Sequence, residues 1–384
     1  GSEMCIRDSH YLDQKNGGSL GARAYLDAFS CLYEDLALLY PNHKNMDISN
    51  IVNPCIKLIP CDDNRPLLIK GLDIYKGKLH RFASILKRIL LEKTFDIIVF
   101  DHSILGAELL PIIKAFACNS KVITIHCNVE TIYNKDNPVS LLYRFPYTHY
   151  IEKAEKDCLN NSFLNLTVTK EDASFFKREF NITNIEYWGT FEHRNSVHFA
   201  LEASRKKSDV LKLVISGSLG FPQTNSAIVS FLTKYYPIIK SITPNVKLVI
   251  TGRNPTGTIN KLCSKDKSIR LVPNPNNIFE VIKQGDIYIS PIFGGSGVKL
   301  RIMDGLKLGL PVLCHEASAK GYEDIVSQKC MFTYHDEETF KTSYKQLLAS
   351  MPSREVVFDS YIHRFSFNSG TQRLCTILQK YNLL

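Results

Sequence analysis

No stretch of the 384 residues is apolar for the roughly 20 positions a membrane-spanning helix needs, and no secretory leader stands at the front. The eleven cysteines are scattered, with no C-x-x-C pair among them. That excludes a zinc ribbon and a disulfide framework, and points to reduced thiols in a cytoplasmic protein. Gly-Lys-Ser/Thr does not occur at Walker A spacing, which removes the P-loop nucleotidases. A G-x-G-x-x-G loop followed about 20 residues later by a ribose-binding acid is also missing, which argues against a dehydrogenase. An aspartate-rich metal motif is lacking, so no metal or other cofactor is expected. No basic stripe interleaved with aromatics marks a nucleic-acid face, and there is no solenoid-period repeat.

What is present suits a two-domain globular chain: 44% hydrophobic and 22% charged residues. Charge is unevenly spread. Residues 205–384 carry 24 Lys/Arg against 13 Asp/Glu, whereas the rest of the chain is nearly balanced. An excess of that kind fits either a solvated basic face or a polyanionic small ligand. Short Val/Ile/Leu-rich runs recur as strand candidates at 95–101, 121–126, 164–169, 212–216, 246–251, 269–272, 286–290 and 311–314. They are continuous rather than alternating, as in parallel strands buried on both faces. Helical stretches such as 79–92 and 226–241 supply the crossovers. The pattern is doubly wound α/β and occurs twice, with a polar break at about 189–209. The expected domains are 1–195 and 205–365, with a last helix in 366–384. Two such domains would face each other across a cleft at the carboxyl ends of their strands. Gly1-Ser2 looks like an expression scar, and residues 1–9 are set aside.

The sharpest local signal is SPIFGGSGVKLRIMDGLKLGLPVL, residues 290–313. It predicts a buried strand, a glycine-rich turn (Gly294, Gly295, Ser296, Gly297) and a helix from about Val298 to Leu308 closed by Gly309. Glycines let a ligand approach the backbone. Free amides at the helix start, Val298 included, would favour a phosphate. Asp304 is placed to accept hydrogen bonds from sugar hydroxyls. Lys299, in the first turn, is unfavourable for the helix unless an anion lies nearby. Taken alone, the segment reads equally as an ordinary strand–turn–helix with a surface acid.

Residues 211–324 resemble the donor domain of glycosyltransferase family 4 (glycosyl transferases group 1). The resemblance rests on VISGSLGFPQTNSA (214–227), VKLVITGRNP (246–255) and the long run 269–324. It implies a GT-B fold of two Rossmann-like domains. It implies a nucleotide-diphosphate sugar as donor, with the diphosphate held by the glycine-rich turn and the ribose by Asp304. The first-strand loop (Ser216, Gly217, Ser218) would approach the phosphates, and Arg253 after Gly252 would face them. Two departures matter. Where many members have a first Glu contacting the sugar, this chain has Ser296. Where many have Arg and Lys after the first strand, it has Gly-Phe-Pro-Gln. Lys299 and Arg253 are the expected substitutes.

The N-terminal half resembles the same enzymes more loosely. NGGSLGAR puts Gly17 and Gly18 in a first-strand loop near the ligand, or in a plain turn. ITIHCNVETIYN sets His126, Asn128 and Glu130 just beyond a strand. His126 is the candidate for hydrogen bonding or proton transfer, and Asn128 and Glu130 for contact with sugar or acceptor. His102 is a weaker candidate of the same kind. The last helix should pack back on the N-terminal domain.

The implied activity is retaining transfer to a glycan or lipid-linked hydroxyl acceptor in surface polysaccharide or glycoconjugate assembly. A non-catalytic GT-B subunit and a sugar-nucleotide epimerase are the alternatives. Residues 135–160 mix Arg/Lys with aromatics. They read either as a helix packing on its own domain or as peripheral contact with the inner face of the cell membrane.

Overall fold

The computed structural model describes residues 2–7, 17–42, 48, 53–62, 65–79, 82–136, 138–196, 209–295 and 297–384. The chain divides into two compact units, residues 1–195 with 367–384, and residues 196–366.

The first unit holds a seven-stranded sheet in the order β3-β2-β1-β4-β5-β6-β7. The strands are β1 (Ser2–Ile6), β2 (Asp35–Asn42), β3 (Lys57–Asp62), β4 (Ile97–Phe100), β5 (Lys121–His126), β6 (Leu164–Thr167) and β7 (Ile185–Tyr187). Every pairing is parallel. Residues 2–6, within the segment set aside, therefore form an interior strand between β2 and β4, with Met4 and Ile6 fully buried. β3 is an edge strand, the position in a sheet where a proline such as Pro60 is tolerated. Ile98, Phe100, Leu86, Leu105 and Ile151 belong to the core beneath this sheet.

The helix Phe367–Lys380 belongs to this unit. The indole N–H of buried Trp188 donates to the Gly370 carbonyl at 2.9 Å. Arg373 Nε donates back to the Trp188 carbonyl at 2.9 Å, and Lys380 pairs with Glu186 at 2.6 Å.

The second unit holds a six-stranded parallel sheet, order β10-β9-β8-β11-β12-β13. Its strands are β8 (Leu211–Ser218), β9 (Val246–Arg253), β10 (Ile269–Pro273), β11 (Ile287–Ser290), β12 (Val312–His315) and β13 (Met331–Tyr334). Two clusters, one around Ile215, Ile250 and Phe340 and one around Tyr288, Leu306 and Phe365, fill its two faces. In each sheet the strand order reverses once, between β1 and β4 and between β8 and β11. In open α/β sheets the carboxyl ends at such a reversal are where ligands bind.

Candidate functional site

At the β8/β11 reversal the chain leaves β11 through Pro291 and the glycine turn, then forms a helix of only five residues, Ile302–Leu306. The longer helix expected from Val298 to Leu308 is corrected. Gly295 and Gly297 have φ of +83° and +79°, outside any helix. The N–H groups of Ile302, Met303 and Asp304 bond back to the carbonyls of Lys299, Leu300 and Arg301 at 3.0, 3.0 and 3.1 Å. The amides of residues 302–304, which open this short helix, are thus already used. Val298 precedes the helix, and its carbonyl accepts from Leu300 N–H at 3.1 Å. Ser296 lies outside the described residues. Gly309 has the left-handed φ (+71°) expected of the residue that ends the helix.

Lys299 is half-buried and folds over the turn. Its ammonium donates to the carbonyls of Gly295 (2.7 Å) and Gly297 (3.1 Å). Burial, reinforced by Lys320, pulls its pKa down to about 8. Asp304, largely buried, lies 3.4 Å from Arg301 and 3.8 Å from Lys307. Ser216 and Tyr288 share a buried 2.7 Å hydrogen bond across the reversal. A cavity of about 90 Å³ opens there between Ser216, Thr224, Tyr288, Ser290, Lys299 and Arg301. Gly217 and Gly252 face each other in the β8–β9 register, and Ser218 is exposed at the end of β8. Arg253 holds the first-strand loop through its carbonyl, which accepts from Leu219 N–H at 2.8 Å, while its side chain is exposed. Gly294, with nothing within 4 Å of a Cβ position, faces open space. Tyr288 and Arg301 were not singled out from the sequence. Tyr288 sits mid-strand, where a buried tyrosine looks like core.

In the first unit, a second polar group gathers at the β1/β4 reversal. Arg7 pairs with Asp101 at 2.9 Å. His102 Nε2 lies 3.1 Å from Glu130, which also accepts from Asn128 at 3.3 Å. Gly17 opens the helix Gly17–Leu32, and Gly18 is exposed at its start.

His126 is not part of this group. It is fully buried, its Nε2 2.9 Å from Asn165 Oδ1 and its ring 4.9 Å from Phe176. Its placement as a proton carrier at an open strand end is therefore corrected. Every residue of β5 after Lys121 is buried, so alternation along the strand carries no signal of which way the ring points. His102 and Asp101, at the end of β4, hold the open position instead. Of these, Asp101 and Arg7 went unread, Arg7 because it falls in the discounted residues.

Desolvation lowers the His126 pKa to about 4. The unfolded chain takes up this proton near pH 6.5, while the folded chain resists until about 4, so the neutral ring's contribution is lost as pH falls across that window. The stability of wild type relative to His126→Gln should drop by roughly 3 kcal/mol between pH 7 and pH 4. Paired urea melts check this. Asp27, raised to about 6 by burial, titrates alike in both proteins and cancels.

Residues 210–350 match the family of Glycosyl transferases group 1. The C-terminal unit carries a glycosyltransferase domain. With two doubly wound parallel sheets, the chain has the GT-B fold. It is 22% identical over 295 residues to an uncharacterized 44.6 kDa protein in the cps region of Klebsiella pneumoniae, covering 72% of this chain and 71% of that one. The chain superposes on the lipopolysaccharide outer core galactosyltransferase WaaB with a TM-score of 0.67 at 10% identity, covering 98% of this chain and 99% of that one. Anabaena Alr3699/HepE, in complex with UDP and glucose, gives a TM-score of 0.65 at 10% identity over 99% and 100% of the two chains. Among the described residues no helix is long and apolar enough to cross a membrane.

Proposed function

We propose that this glycosyltransferase moves a sugar from a nucleotide-diphosphate sugar to a hydroxyl of a glycan or lipid-linked acceptor, with retention, in surface polysaccharide assembly. The observation that carries the reading is Lys299 held by Gly295 and Gly297 beside the β8/β11 reversal. It puts a cation on a glycine turn that a diphosphate can approach. That turn, rather than the short helix, would present backbone to the phosphates, with Ser216, Gly217 and Ser218 across from it. Asp304 would take the ribose and Arg253 the outer phosphate charge.

The bond from the sugar's anomeric carbon to phosphate oxygen breaks. The bond to the acceptor oxygen forms on the same face, and the acceptor's proton passes to the departing phosphate. No metal is assigned a role. Asn128, Glu130 and His102 would line the acceptor side. WaaB, by name a galactosyltransferase of the lipopolysaccharide outer core, and HepE, in complex with UDP and glucose, favour a uridine donor and a cell-surface product. A lipid-linked acceptor would hold the enzyme at the cytoplasmic face of the membrane.

The test is incubation with nucleotide-sugars and extracts of candidate acceptors, reading released nucleotide diphosphate and the product anomer by NMR. Lys299→Met should lower kcat about 10²–10³-fold. The wild-type kcat/KM should fall as pH rises through about 8, where free Lys299 loses its proton, and the variant should lose that limb. Absence of nucleotide release with every donor would move the reading to a non-catalytic subunit. An inverted product would overturn retention.

A further inference from the structure

The helix Leu67–Tyr75 has the sequence LLIKGLDIY, yet Gly71 is its only buried residue. Leu67 and Leu68 are 85% and 82% exposed, and Leu72 and Tyr75 are more than half exposed. The helix Leu141–Asn161 repeats the anomaly at its start. Leu141 is 81% and Phe145 84% exposed, while from Tyr150 onward it packs into the core. The reading of 135–160 as a helix packing on its own domain therefore holds only for its second half.

These two apolar ends form one surface. Gly71 sits so close to Tyr143 that a Cβ would lie 2.5 Å from its hydroxyl. The Tyr75 hydroxyl donates to the Leu142 carbonyl at 2.5 Å, and the Tyr75 and Tyr143 rings are 6.0 Å apart. A groove of about 860 Å³ adjoins it, lined among others by Lys76, Lys78, Phe145, His149 and Lys153.

Charge selects the occupant. Among described residues 65–79 and 138–149 the basic side chains are Arg65, Lys70, Lys76, Lys78 and Arg144. The one acid in those ranges is Asp73, paired with Arg65 at 2.9 Å, and the groove lining adds Glu108 against Lys76, Lys78 and Lys153. Self-association across a two-fold axis would bring like charges together. Protein interfaces deplete lysine at their apolar centres. Leucine and phenylalanine side chains among lysine and arginine suit a bilayer with anionic headgroups, where the apolar groups enter the acyl boundary and the cations meet phosphates.

We propose that the Leu67–Tyr75 and Leu141–Phe145 helix ends dock this enzyme on an anionic lipid surface, with the adjoining groove over the headgroups. This deepens the membrane-face reading above but depends on lipid binding alone.

The test is co-sedimentation with phosphatidylglycerol-containing and pure phosphatidylcholine vesicles. Wild type should partition onto the anionic vesicles, less at high salt. Leu68→Glu/Leu142→Glu/Phe145→Glu and Lys76→Glu/Lys78→Glu/Arg144→Glu should each bind about tenfold less or weaker still. Both variants change exposed positions, so their melting and nucleotide-diphosphate stabilisation should match wild type. That control separates failure of docking from failure of the transferase reading. The proposal is overturned if wild type ignores anionic vesicles, or if the variants bind undiminished. It is also overturned if sedimentation velocity shows a dimer that the apolar variant dissolves, which would make a second copy the occupant.

Discussion

Gly252→Ala should abolish folding of the C-terminal unit. Gly252 has a φ of +148°, and an alanine Cβ there would lie 1.8 Å from the Gly217 carbonyl oxygen. Both atoms belong to paired strands, β8 and β9, so no rotamer relieves the clash. Relief requires the strand ends to separate. That would break the 2.8 Å bond from Leu219 N–H to the Arg253 carbonyl, which holds the first-strand loop to the end of β9. A loss above about 4 kcal/mol is expected, in the range reserved for core clashes and backbone strain. Gly257→Ala is the control. It lies in a helix with nothing within 4 Å of its Cβ position, and should be neutral or stabilising by about 0.4–1 kcal/mol. Soluble yield and urea melts of the two variants decide the matter. Equal tolerance would contradict the close approach of β8 and β9.

Trp188→Ala should cost about 3–5 kcal/mol in the first unit. Trp188 is fully buried, its ring 4.7 Å from Tyr25, 5.1 Å from Phe191 and 5.8 Å from Phe29. Its loss leaves a cavity and removes the indole bond to the Gly370 carbonyl, where the helix Phe367–Lys380 docks. Gly370 is there because a Cβ would sit 2.2 Å from the Phe191 ring. Limited proteolysis should therefore cut the C-terminal helix of the variant well before the rest of the unit. Cleavage at wild-type rates would show that Trp188 does not hold the helix.

The doubly wound repeat was legible because its inner strands are unbroken apolar runs. All of Ile97–Phe100 and Ile287–Ser290 is buried, as helices on both faces of a parallel sheet require. β2 and β3 were missed because Pro41 and Pro60 break their pattern, and β1 because it overlaps residues that look like a scar. The glycine turn was found, but the helix after it was drawn too long. The spacing of Val298, Ile302 and Leu306 is helical throughout, and only the positive φ of Gly297 and the tight bonds from 302 to 304 show where the helix starts. The pairing of His102 with Glu130 and of Arg7 with Asp101 joins residues 28 and 94 positions apart, which strand order alone brings together.

The most direct measurement of the donor site is the melting temperature of wild type and Asp304→Ala with each nucleoside diphosphate in turn. Stabilisation of wild type by one of them, at 100 times its Kd, should reach about 2.7 kcal/mol. The same nucleotide should leave Asp304→Ala unshifted. If no nucleoside diphosphate stabilises wild type, or if Asp304→Ala responds equally, the β8/β11 reversal is not a nucleotide-sugar site built on Asp304.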